Sequence, residues 1–189
     1  MKLILLRHEE RDLNNPLFFS PLTQHGIQRS YDLISTLSMQ NIDVIFCSPF
    51  LRTIETIYPT ADFLHKKINI EYGFYEYIHN PKFNCQNWYH SINELLDEYP
   101  EYEEIINMRY QSIIKKSDFV MDSECKLEDK IELEKRIRKS MNEILTKYKE
   151  NTVLIVSHAG VIQKIKDMYI TETDMNDIFP MGHFEIYYL

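Results

Sequence analysis

Three times along this chain an apolar tetrad stops abruptly at a polar pair. Residues 3–6 (Leu-Ile-Leu-Leu) run into Arg7-His8, residues 44–47 (Val-Ile-Phe-Cys) into Ser48-Pro49, and residues 153–156 (Val-Leu-Ile-Val) into Ser157-His158. Unbroken apolar runs of this length fit strands buried on both faces, which occur in parallel sheets covered by helices. Each run is followed by a helical pattern. The order βαβα with further βα units predicts an α/β fold, a three-layer α/β/α doubly wound sandwich with a mostly parallel sheet. In such sheets ligands bind outside the carboxyl ends of the strands, where strand order reverses. That topology carries Arg7, His8, Arg52 and His158 towards one crevice.

The intervening segments fill in the same architecture. Thr23 is the expected N-cap of a first helix running to residue 39 or 40, with Ile27, Tyr31, Ile34 and Leu37 as its inner face. A second helix is expected over 51–64, with Arg52 in its first turn. Residues 68–71 alternate as a short strand. From 81 to 150 the pattern turns helical without a strand signal, and a stripe of Ile131, Ile137, Met141, Ile144, Leu145 and Tyr148 marks a helix over 127–149. This stretch is expected to be a helical cap or flanking insertion, since the third strand motif comes only after it. A helix over 160–168 and an edge strand over 184–189 close a single domain, 1–189.

A chain of 189 residues, 44% apolar and 26% charged, has material for one sizeable core and no disordered composition. The net charge of −8 argues against nucleic acid, whose phosphate backbone needs a basic face. The three cysteines, Cys47, Cys85 and Cys125, lack zinc-like spacing and cannot all pair, which favours a reducing, cytoplasmic setting. The apolar start is broken by Arg7-His8 too early for a signal peptide. No segment approaches the roughly 20 apolar residues of a membrane span, so neither membrane nor nucleic acid is expected as a partner.

Two arginines and two histidines at one sheet edge suit a phosphoryl group, whose oxygens match guanidinium forks and imidazole donors. A neutral imidazole can attack phosphorus and split hydrolysis into two displacements, and His8 is the candidate nucleophile. Arg7 and Arg52 would neutralise the phosphoryl oxygens, with His158 as a further donor. An acid must protonate the leaving oxygen and then serve as base towards water. Glu76 fits, following a strand and the Gly73 turn; burial among Phe74, Tyr75 and Tyr77 would raise its pKa and keep it protonated.

These motifs resemble the histidine phosphatase superfamily, also called phosphoglycerate-mutase-like. Arg7-His8 stands where that family has Arg-His-Gly, Leu22-Thr23-x-x-Gly26 is similar to its first helix start, Ser48-Pro49-x-x-Arg52-x-x-x-Thr56 to its second motif, and Ser157-His158-Ala159-Gly160 to its last. The resemblance implies a phosphorylated His8, a phosphate pocket completed by Arg7, Arg52 and His158, and Glu76 at the proton-donor position. It also implies a phosphate or substrate contact at Asn14. It calls for no cofactor and no metal. Residues 70–77, together with Arg11, look most like the suppressor-of-T-cell-receptor-signalling branch of tyrosine-type phosphatases. The implied substrate is a small phosphorylated metabolite or a phosphoprotein side chain.

One position departs from the pattern: Glu9 stands where the family has Gly. Pointing into the pocket it would repel phosphate; pointing to solvent, or pairing with Arg11, it would leave the chemistry intact. The alternatives to a phosphatase are therefore a phosphoglycerate-type mutase and a member that binds phosphate or a partner without turnover. His25, His65, His79, His90 and His183 lack ligand spacing and read as structural or surface groups. Trp88 and Tyr89 read as core or cap packing.

Overall fold

The computed structural model describes residues 1–12, 14, 18–79, 90–115, 127–170 and 179–189. Cys85, Cys125, Trp88 and Tyr89 lie outside the described residues. Five strands form one sheet in the order β3-β2-β4-β1-β5. They are β1 (Lys2–Arg7), β2 (Val44–Cys47), β3 (Ile68–Ile70), β4 (Thr152–Ser157) and β5 (Phe184–Tyr188). All neighbouring pairs are parallel except β1 with β5, where the last strand returns antiparallel along the edge.

Alternation along β1 explains why its apolar run is unbroken. Ile4 and Leu6 pack with Leu33, Leu37, Ile54 and Ile57 on one face, from α1 (Gln24–Leu37) and α2 (Leu51–Phe63). Leu3 and Leu5 pack with Ile137, Met141, Ile162 and Ile165 on the other, from α4 (Lys130–Lys147) and α5 (Ala159–Tyr169). A central strand with helices on both sides has no polar face to display. The result is the three-layer sandwich expected from the sequence.

The chain crosses from β1 to β2 and β3 before returning to lay β4 between β1 and β2. Register then aligns the strand ends: Arg7 pairs with Ser157, and Cys47 with Val156. Beyond the sheet, the His8 amide donates to Ser157 O at 3.0 Å and the Ser48 amide to Val156 O at 3.0 Å. The polar residues that end the three tetrads thus share one edge.

Two expectations change. The inner face of α1 is Gly26, Ser30, Leu33 and Leu37, whereas Ile27 and Tyr31 are 43% and 53% exposed. Helical period was legible but phase was not, because Gly26 fixes it: a Cβ there would collide with the Glu10 carbonyl, so the helix turns its glycine to the loop after β1. The Thr23 cap stands as expected, its hydroxyl accepting from the Gly26 amide at 3.0 Å.

The second change concerns 81–150. Residues 80–89 and 116–126 lie outside the described part; what is described is not a run of long helices. The seven-residue α3 (Ile92–Glu98) leads to irregular chain that bridges Ile106 to Ile68 beside β3. Then α4, opened by an Asp129–Glu132 capping box, forms a layer of the sandwich rather than a cap. Its buried Leu133, Ile137, Met141 and Ile144 lie on the sheet, and Ile131, expected in the stripe, is 64% exposed. Burial of about 1.5–3 kcal/mol per such side chain, rather than helix propensity, holds this charged helix in place.

Candidate active site

At the shared edge β1 delivers His8, β2 delivers Ser48, the first turn of α2 delivers Arg52, and β4 delivers His158. Glu76 arrives two residues after a 3-10 turn (Tyr72–Phe74) that follows β3. His8, Arg52, Ser48 and His158 are buried, and Glu76 keeps 24% of its side chain open to solvent.

Hydrogen bonds assign the imidazole tautomers. His8 Nδ1 lies 2.7 Å from Glu9 O, and a carbonyl only accepts, so Nδ1 carries the proton and Nε2 the lone pair. His158 sits between two oxygens: Nδ1 is 3.1 Å from Glu76 Oε2 and Nε2 is 2.9 Å from Ser48 Oγ. An ionised carboxylate accepts from Nδ1–H, leaving Nε2 to accept from the serine hydroxyl. Arg52 Nη2 donates to the same Glu76 oxygen at 3.3 Å, and its guanidinium lies 4.3 Å over the Phe50 ring. The two imidazoles meet edge-on with centroids 5.3 Å apart.

Charge and burial set the resting protonation. Burial, then Arg52 and His158, lowers the pKa of His8 well below its ordinary value, so the ring is neutral in mildly acidic solution. Burial likewise brings His158 down to about 4, against the opposing pull of Glu76. Arg52 is pushed down to about 10 by burial and stays cationic at neutral pH. For Glu76, burial alone would raise the pKa as expected from sequence, but His158, Arg52 and His8 together outweigh it and hold the carboxyl well below the usual range. The expectation of a protonated resting acid is therefore corrected. Its error was to count the aromatic neighbours and miss the guanidinium brought in from α2 and the imidazole N–H brought in by β4.

Arg7 donates from Nη1 to Phe179 O at 2.6 Å, while its Nε is buried with no hydrogen-bond partner among the described residues. An orphaned buried guanidinium nitrogen is what an anion-binding edge leaves for its ligand. Asn14 is exposed, its amide donating to Asp12 Oδ1 at 2.9 Å; among the described residues no contact ties it to the cluster. Arg11, absent from the sequence-derived site, is half-buried and its charge acts on Glu76, Arg52 and Arg7. The sequence marked it only within the subfamily resemblance and as a candidate partner of Glu9; in the structure an antiparallel bridge pairs it with Leu22. Thr56 was legible only as part of a motif: its hydroxyl accepts from the Glu9 amide at 2.9 Å and donates to Arg52 O at 2.7 Å, tying both strands' loops together.

Glu9 takes neither path expected for it. It is 1% exposed and pairs with Arg29 of α1, Nε to Oε2 3.1 Å, not with Arg11. Its carboxyl lies against the backbone of Gly182, where a Cβ would collide with Glu9 Oε1 and where φ is +67°. The Gly182 amide in turn reaches the Arg7 and His8 carbonyls, each at 3.1 Å. Gly182, just before β5, thus leaves room for the Glu9 side chain next to His8. Gly182→Ala is expected to destabilise by about 2 kcal/mol or more through strain and collision. In a double-mutant cycle with Glu9→Gly part of that loss returns, while Glu9→Gly alone changes turnover by no more than a few-fold; additive losses in urea unfolding would show the two residues to be uncoupled.

Ligand atoms of His8, Glu76 and His158 lie within 4.8 Å of one another, a set able to hold a divalent ion. The adjacent Arg7 and Arg52 guanidiniums make the same space more favourable to an anion.

A buried pair of neutral imidazoles, a carboxylate and guanidinium groups at the switch point of a doubly wound sheet define a phosphate-handling α/β protein. The model of the histidine phosphatase superfamily (branch 1) matches residues 3–183, and the chain belongs to that family. No curated protein matches it by sequence. Among solved structures, the ecdysone phosphate phosphatase of Bombix mori with tungstate superposes with a TM-score of 0.69 at 18% identity, covering 98% of this chain and 88% of that one. A putative alpha-ribazole-5'-P phosphatase from Escherichia coli gives 0.67 at 20% identity over 98% and 89%. A mycobacterial glucosyl-3-phosphoglycerate phosphatase with inorganic phosphate gives 0.65 at 13% identity over 98% and 88%. No helix among the described residues is long and apolar enough to cross a membrane.

Proposed function

We propose that the protein is a metal-independent phosphomonoesterase that works through a phosphohistidine at His8. The observation that carries this reading is the His8 ring itself, neutral, with Nδ1 committed to Glu9 O and the lone pair on Nε2 beside Arg52 and His158. In the first step Nε2 bonds to phosphorus as the ester P–O bond breaks, and the leaving oxygen takes a proton from Glu76. In the second, water bonds to phosphorus, gives its proton to Glu76, and the N–P bond breaks to release phosphate. Arg7 and Arg52 stabilise the charge that develops on the transferring oxygens, and His158 joins them as a donor when protonation of Glu76 frees its Nδ1–H.

Glu76 rests ionised, so it must take up a proton from solvent as the substrate binds. A bound phosphoryl dianion offsets the Arg52 charge that helps hold the Glu76 pKa down, and its proton affinity rises when the acid is needed. The three solved structures named above are phosphatases, one of them putative, named for ecdysone phosphate, alpha-ribazole-5'-P and glucosyl-3-phosphoglycerate. Those alcohols share only the phosphomonoester, which favours a substrate class defined by that group, on a small metabolite or a phosphorylated side chain. Glu9 motivated the reading of a member without turnover; with its carboxyl paired to Arg29, that motive is removed. Buried, unpaired Cys47 is in keeping with a reducing, cytoplasmic setting.

The test is hydrolysis of para-nitrophenyl phosphate and phenyl phosphate in EDTA by wild type and Glu76→Gln. Wild type is expected to turn over both. Glu76→Gln loses about 10²–10⁴-fold on phenyl phosphate and much less on the better leaving group. No turnover of either ester by wild type, or turnover abolished by EDTA, overturns the reading; equal losses in the variant remove Glu76 from the acid role.

A further inference from the structure

We propose that Arg136, on α4, is a positioning residue that sets the Glu76 carboxyl against His158; its catalytic consequence rests on the function proposed above. The segment from Glu71 to Glu76 is held at three places. At its start the Glu71 carboxylate accepts from the Gly73 amide at 2.9 Å, and at its middle Ser157 Oγ donates to Phe74 O at 2.8 Å. At its end Arg136 bridges two carbonyls, Nη1 donating to Gly73 O at 2.6 Å and Nη2 to Glu76 O at 3.3 Å, while the Tyr77 amide donates to Glu76 Oε1 at 3.0 Å.

The guanidinium is itself fixed. Its other edge is bidentate on Glu128, Nε to Oε1 at 2.5 Å and Nη2 to Oε2 at 2.9 Å. The Glu128 amide donates to Ile78 O at 2.9 Å, closing a loop of bonds around residues 73–78. Arg136 is 6% exposed, and Gly73 lets the turn approach this close, since a Cβ there would strike Ser140 Oγ one helical turn along α4. A planar fork that binds a carboxylate on one side and two carbonyls on the other fixes direction as well as distance. A lysine supplies charge without that fork.

Placement matters because a catalytic group misplaced by about 1 Å can cost on the order of 10²-fold. A purely structural arginine would, on loss, lower turnover of every ester alike. A positioning arginine penalises the esters that need the acid. In Arg136→Met the ratio of kcat/KM for phenyl phosphate over para-nitrophenyl phosphate is expected to fall about tenfold relative to wild type, and Arg136→Lys to recover part of it.

A second readout is independent of turnover. Both buried imidazoles carry hydrogen-bonded N–H protons, His158 Nδ1–H to Glu76 and His8 Nδ1–H to Glu9 O, each visible as a far-downfield proton resonance. In Arg136→Met the His158 signal shifts or vanishes and the His8 signal stays. An unchanged ester ratio with both signals in place overturns the proposal, as does loss of both signals together. Should Arg136→Met fail to fold, Glu128→Gln keeps the guanidinium but loosens its clamp, and the same two changes are expected in smaller degree. If wild type hydrolyses neither ester, the proposed function falls, and the two proton signals still decide the placement of Glu76.

Discussion

His8→Ala hydrolyses para-nitrophenyl phosphate more slowly than wild type by a factor on the order of 10⁴ or more, the scale on which loss of a covalent nucleophile acts. No neighbour can take its place. His158 is committed at both nitrogens, to Glu76 and to Ser48, and Glu76 is needed for the proton. The fold is expected to survive, because the ring removed is neutral and makes a single hydrogen bond to backbone, to Glu9 O. Thermal unfolding of the variant is expected to stay within about 2 kcal/mol of wild type, the usual range for such a loss. With substrate labelled in its phosphoryl group, wild type retains acid-labile label after quenching at alkaline pH and His8→Ala retains none. A variant that keeps a tenth of wild-type turnover would mean that water attacks directly, and the phosphohistidine would have to be abandoned.

Glu71→Ala is the largest expected change in stability, with the nucleophile left in place. This carboxylate is fully buried and accepts from the Gly73 amide, the Tyr110 hydroxyl at 2.6 Å, the Ile113 and Ile114 amides at 2.8 and 3.2 Å, and Ser140 Oγ at 2.9 Å. Each donor left unsatisfied in the interior costs about 1–3 kcal/mol. Even if water reaches half of them, the sum is several kcal/mol against a total stability of about 5–15 kcal/mol. The variant is expected to be unfolded or barely folded at 25 °C in urea titrations. Glu71→Gln falls between, since an amide keeps an acceptor but turns its NH₂ towards groups that also donate. A loss under about 1 kcal/mol in Glu71→Ala would show that these bonds contribute little net.

Particular residues show what could be read from the sequence. The tetrads ending at Arg7-His8, Ser48 and Ser157-His158 were legible because a strand buried on both faces has one composition and a doubly wound sheet one functional edge. Arg52, in the first turn after β2, followed from the same logic. Helix phase was less accessible: Ile27 and Leu33 obey the same period, and only the approach of Gly26 to Glu10 decides between them. The partner of Glu9 was hidden because Arg29 comes from another element, and the protonation of Glu76 because its controlling charges sit far away in sequence. The place of α4 was misread for a topological reason. Its chain position between β3 and β4 fits a cap and a crossover equally well, and the capping box tells where the helix starts, not what it covers.

The late arrival of β4 has a consequence for how the activity comes into being. The strand that separates β1 from β2 is made after both, and its pairing of Lys2 with Thr152 joins segments almost a chain length apart. Such non-local pairing is slow to close. During synthesis His8 therefore emerges well before the second imidazole and its hold on the carboxylate, which follow only after α4. A chain that stops before β4 holds His8 without the groups that face it: the topology ties assembly of the site to completion of the sheet.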